Sequence, residues 1–152
     1  MDSELRKLAS FRDGGGTLDA LTVRELIAGG REEDIFRLTD HLFPRPSAPA
    51  FQAARGLIQS GASPTTVAYR IARQLALVLE VKARQDRGEA LAAIQGAMRE
   101  HPFVVQKACE AARGVTADQL ERGLRAVLAY EWEVKSGQVE ADAGLEGLLA
   151  KF

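Results

Sequence analysis

Residues 63–86 read SPTTVAYRIARQLALVLEVKARQD, and the reading of this stretch decides the fold. Ser63 followed by Pro64 is an N-cap with proline at the first helical position, where its fixed φ fits and its missing N–H is no loss. Val67, Ile71, Leu75, Val78 and Leu79 then recur at helical spacing, and Ala68, Ala72, Ala76 and Leu77 widen the stripe around much of the girth. The spacing predicts one long helix reaching to about residue 86, stopped before Gly88, in the middle of a bundle. Each large side chain buried there contributes about 1.5–3 kcal/mol. A charge at Ile71 or Leu75 is therefore expected to unfold the domain.

Outward from this helix the same period continues in both directions, and no stretch alternates in the manner of a strand. On the N-terminal side, a helix over about residues 3–11 is stopped by three glycines at 14–16. Thr22 and Glu25 make a capping-box pattern for a short helix to Ile27, closed by Gly29 and Gly30. A further helix starts near Arg31 with Glu32, Glu33 and Asp34 in its first turn and Ile35, Leu38 and Leu42 on its buried face, ended by Pro44, Pro46 and Pro49. The next covers about residues 49–60 and buries Phe51, Leu57 and Ile58.

On the C-terminal side, a helix over about residues 89–99 uses Leu91, Ile94 and Met98, and His101-Pro102 opens another that runs toward Gly114. Thr116 and Gln119 form a capping box ahead of a helix to Lys135 with the stripe Leu120, Leu124, Val127 and Leu128, and Gly137 caps its end. Leu145, Leu148, Leu149 and Phe152 give the last helix an apolar face that must dock on something. The reading is all-α, a bundle of about seven to nine helices.

Composition narrows the function. A chain of 152 residues buries roughly two-thirds of its unfolded surface as one domain, without a metal or disulfide staple. Twenty basic and 21 acidic residues leave a net charge of −1, so there is no global field to gather nucleic acid or anionic lipid. Cys109 is the only cysteine, as expected of a reducing compartment, the cytoplasm. The N-terminus lacks an apolar signal core, and LALVLEV at 75–81 is too short to span a bilayer.

No chemistry is legible. The three glycines lie between helices without a following Gly-Lys-Ser or Gly-Lys-Thr, so nothing points to a nucleotide or another cofactor. His41 and His101 belong to no metal-ligand pattern; His101 reads as a helix-start residue and His41 as a boundary residue. Cys109 reads as a small buried hydrophobe rather than a thiolate nucleophile. Arg70, Arg73, Lys82, Arg84 and Arg87 edge the long helix, either as a solvated rim or as a protein-binding one. Glu131 and Lys135 have the spacing of an intrahelical ion pair. Tyr130 and Trp132 point to different sides of their helix, one toward the core and the other outward.

With the helices placed, their order and wording resemble the C-terminal part of the delta subunit of the bacterial DNA polymerase III clamp loader. The segments that carry the resemblance are ELRKLA at 4–9, LTVRELI at 21–27, REEDIFRLTDHL at 31–42, ARQLALVLEVK at 72–82, HPFVVQKA at 101–108 and EWEVKSG at 131–137. Two departures stand out: Met98, Arg99 and Glu100 lie where the family often has Leu-Gly before His-Pro, and Glu131 stands where aspartate is common.

The resemblance implies a collar-like bundle, with residues 1–24 ending a helical lid and residues 25–152 forming the collar. It implies a non-catalytic assembly domain of a longer protein, partnered through the collar by gamma/tau and delta-prime subunits. The sliding clamp would be met through an N-terminal module outside this chain, and primed DNA at the level of the complex. The chain alone is expected to be a monomer. Arg73, Lys82, Arg84 and Trp132 are the expected interface residues, because arginine and tryptophan are enriched where interfaces bind strongly. A helical DNA-contacting domain is the rival expectation, and a small enzyme using Cys109 or His101 a third.

Overall fold

The computed structural model describes residues 34–152, and these are helical with no strand among them. The expected helices at 3–11 and 22–27, and the 24/25 boundary, lie outside the described residues. Residues 34–40 form the helix α1. It is followed by α2 (Ala48–Gln59), α3 (Pro64–Asp86), α4 (Leu91–Ala97), α5 (Pro102–Ala112), α6 (Ala117–Lys135) and α7 (Ala141–Leu149). None of them is long and apolar enough to cross a membrane.

Helix α3 starts where Ser63-Pro64 predicts, with the Ser63 hydroxyl accepting from Thr66 N–H at 3.2 Å. It is the central element, packing mainly on α6 and α5 and also touching α7 and α2. Val67, Ala68, Ile71, Leu75, Val78 and Val81 are buried along it. Ala72, Leu77 and Leu79 are half-buried, and Ala76, expected in the stripe, is exposed. The neighbours of α3 cover a wide face rather than its whole girth, so a residue opposite the Ile71–Leu75–Val78 line meets solvent.

Local signals set the other ends. The Thr116 hydroxyl accepts from Gln119 N–H at 3.2 Å while the Gln119 side chain accepts from Thr116 N–H at 2.9 Å, closing the expected capping box. Thr116→Ala is expected to cost about 1 kcal/mol and to lower the thermal midpoint by about 4 °C, readable by circular dichroism. Gly137 ends α6 at φ 74°, a left-handed conformation that glycine adopts without a Cβ penalty.

Helix α4 is shorter than the expected span of 89–99, because Ala90 offers no side chain to cap it and the Glu89 carboxylate is already engaged by Arg84 and Arg87. Leu91, expected on its buried stripe, is exposed, while Ile94 is buried. The C-terminal apolar face docks: Leu148 and Leu149 are buried, and the Phe152 ring meets Phe43 edge-on at 5.7 Å.

Candidate functional site

The groups that could do covalent chemistry are held in structural roles. Cys109 is buried, and that burial pushes its thiol above the ordinary range, only partly offset by the nearby Arg113. His101 caps α5, its Nδ1 accepting from Phe103 N–H at 3.2 Å. His41 is half-buried just beyond α1, as a boundary residue should be. Among the described residues no three of His, Cys, Asp and Glu gather as a metal would require.

The basic rim of α3 is tied down inside the fold. The Lys82 ammonium donates to the Ala112 carbonyl at 3.2 Å, satisfying the end of α5, and Gln85 donates to the Cys109 carbonyl one turn earlier. Arg84 bridges Glu80 and Glu89, each at 3.2 Å, and these hydrogen bonds, Glu89 first, hold its guanidinium above its ordinary pKa. Arg87 also reaches Glu89 at 2.8 Å. Arg73 is exposed and pairs with Glu100 at 3.0 Å. Apart from Arg70, the cations of this rim meet carboxylates or carbonyls of the same chain, which leaves little uncompensated charge for phosphate.

Helix α6 presents a different surface. Tyr130 points inward and is buried, while Trp132 is 69% exposed, the division expected of that pair. Leu128, one helical turn before it, is 65% exposed, although its place in the apolar stripe predicts burial. Leu120, Gly123, Val127 and Tyr130 define the inward line of α6. Leu128 lies one residue beyond Val127, about 100° around the helix, and so falls beside Trp132 instead. The pair is flanked by Arg125, bonded to Glu121 at 3.2 Å, and by Lys135, 3.9 Å from Glu131 as its spacing predicts. The result is an apolar island bordered by neutralised charges, the pattern of a contact anchor.

Two of the clefts among the described residues have apolar walls. One of about 210 Å³ lies between α2 and α7 over Phe51, Ile58, Leu145 and Leu149, its mouth bridged by Arg55 and Glu146 at 2.9 Å. The other, about 260 Å³, lies where α1, α3 and the end of α5 meet. Gln74 lines it, 6% exposed, with an Nε2 that has no hydrogen-bond partner. Nothing in the sequence distinguishes Gln74 from the other polar residues of α3.

Known proteins similar to this chain fall in one group. Residues 32–152 match the family model described as DNA polymerase III delta subunit, C-terminal domain. The DNA polymerase III subunit delta of Bacillus subtilis (strain 168) is 24% identical over 149 residues, which cover 98% of this chain and 43% of that protein. Among solved structures, the Bacillus subtilis DNA clamp loader delta protein shares the fold with a TM-score of 0.75 at 24% identity, over 97% of this chain and 43% of that one. The chain thus spans less than half the length of the relatives it matches.

Proposed function

Because the chain belongs to the family of C-terminal domains of the DNA polymerase III delta subunit, we propose that it is the non-catalytic assembly domain of a clamp-loader delta subunit, acting in the cytoplasm. Its helical unit, the collar from residue 25 onward, packs against gamma/tau and delta-prime subunits. Residues 1–24 end the lid. The sliding clamp is met by a module outside this chain, and primed DNA by the complex as a whole.

The observation that carries this reading is the family match across 32–152, which spans all seven described helices. The exposed Leu128–Trp132 pair supports it, as an apolar anchor on the outer face of α6. Trp132 and Arg73 serve as partner contacts, whereas Lys82 and Arg84 act from behind by fixing the ends of α5 and α3. The internal ion pairing of Arg73, Arg84 and Arg87 argues against a DNA-contacting domain.

The chain mixed with gamma/tau and delta-prime subunits is expected to elute from a sizing column as a heteromeric complex and to run as a monomer alone. Separate elution of well-folded components would reject the proposal. Trp132→Ala is expected to weaken the complex about tenfold while leaving the helical circular dichroism signal unchanged.

A further inference from the structure

The cleft between α1, α3 and α5 carries one buried amide that the fold leaves unsatisfied and two carboxylates at its solvent-exposed edge. Gln74 Nε2 is a buried donor with no acceptor, an arrangement that native interiors rarely tolerate without a reason. Asp40 lines the same cleft at its solvent-exposed edge and has no hydrogen bond or ion pair among the described residues; partial desolvation pushes its carboxyl above the ordinary range, against the lowering influence of His41 and Lys107. Glu110 lines the same cleft and adds a smaller raising influence on Asp40, with Lys107 at 3.6 Å and the Gln106 amide at 3.4 Å on it. The walls between are apolar, formed by Phe43, Val78 and Val115.

We propose that this cleft receives an arginine from a partner protein chain, with its guanidinium between Asp40 and Glu110 and a peptide carbonyl of the same segment accepting from Gln74 Nε2. The inference rests on the reading of this chain as an assembly domain.

Each part of the ligand answers one feature of the cleft. Two carboxylates served by one lysine leave a net negative edge that suits a further cation, and a planar guanidinium can address both while its faces lie against apolar walls, which a compact ammonium cannot do. A bare metal ion would leave the Gln74 amide donor without an acceptor. That donor needs an acceptor, which guanidinium lacks, so the cation must come with a carbonyl, as it does on a polypeptide. The terminal amide torsion of glutamine is soft, and turning it brings Nε2 to the incoming carbonyl. A cleft of about 260 Å³ holds one long side chain and the peptide unit that bears it.

The test uses the full chain and three small ligands: N-acetyl-arginine methylamide, its lysine counterpart, and its citrulline counterpart, which keeps the shape but not the charge. In nitrogen–proton NMR titrations the arginine compound is expected to shift the Gln74 side-chain amide and the Asp40 backbone amide saturably, with the citrulline compound at least about tenfold weaker. Asp40→Asn combined with Glu110→Gln should abolish the response and weaken the complex with gamma/tau and delta-prime about tenfold, with thermal unfolding unchanged. Gln74→Met should also weaken arginine binding while matching or exceeding the stability of the parent, because it removes an unpaired buried donor.

Equal binding of citrulline, or a Gln74 amide that contacts only a long-lived water and ignores the arginine compound, overturns the inference. If the chain joins its partners and the double variant joins them equally well, the inference fails and the assembly reading stands. If the chain binds the arginine compound but joins no partner, the assembly reading fails and takes the partner origin of the arginine with it.

Discussion

Ile71→Asp is expected to abolish the cooperative unfolding of the unit Ile35–Phe152, leaving a chain of low helicity at neutral pH. Ile71 is fully buried at the centre of α3, the element against which α5, α6, α7 and α2 pack. Aspartate there loses the isoleucine transfer energy of about 1.5–3 kcal/mol and places a carboxylate in an apolar site, where it costs several kcal/mol more or takes up a proton. Against a total stability of about 5–15 kcal/mol, that sum removes the folded state. Ile71→Val provides the control, with an expected cost of about 0.5–1.5 kcal/mol and a retained two-state urea transition. A folded Ile71→Asp protein with native helicity would show that α3 is not the centre of the core.

The central position of α3 was legible because a single helix carried three independent signals: a capped start, a wide apolar stripe and a glycine stop. Each signal is local in sequence, and so is the hydrogen bonding it controls, as Ser63, Thr116 and His101 show. What depends on neighbours distant in sequence was not legible. Leu128 and Leu124 look alike in a stripe, yet Leu124 is half-buried and Leu128 exposed, because the line of contact is fixed by where α3 and α7 lie.

Lys82 and Arg84 read as surface cations, but the end of α5 and Glu89, the residue before α4's missing cap, supply their partners. Gly123 gives no sequence signal at all. A Cβ there would come within 2.9 Å of Leu75 and 2.6 Å of Phe152, so glycine is what allows α6 to approach α3 and the C-terminus. The candidate surface was half legible in the same sense: tryptophan announced itself by type, whereas the Leu128 beside it and the unpaired Gln74 required three dimensions.

Tyr130→Ala is expected to cost about 3–5 kcal/mol, the largest loss from any truncation on α6, because this side chain alone joins α6 to α7 by both packing and hydrogen bonding. The ring is buried, and a Cβ on Gly144 would lie 2.9 Å from its edge and 2.9 Å from Val139, so the backbone of α7 sits directly against it. The phenol donates to the Ala141 carbonyl at 2.9 Å, at the first turn of α7. Burial, and secondarily Asp142, raises the phenol pKa, so it remains a donor through neutral and mildly alkaline pH.

Three variants separate the contributions. Tyr130→Phe keeps the ring and loses the hydrogen bond, at about 1 kcal/mol. Gly144→Ala keeps Tyr130 but forces a methyl against a ring that its hydroxyl holds in place, at about 1–3 kcal/mol. Urea midpoints should therefore fall in the order Tyr130→Phe, Gly144→Ala, Tyr130→Ala. If Tyr130→Phe cost as much as Tyr130→Ala, the hydrogen bond rather than the ring would hold α7. Because Trp132 faces away from this joint, the folded fraction of Tyr130→Phe should assemble with gamma/tau and delta-prime as the parent does. Stability and the proposed partner contact would then fall on opposite faces of one helix.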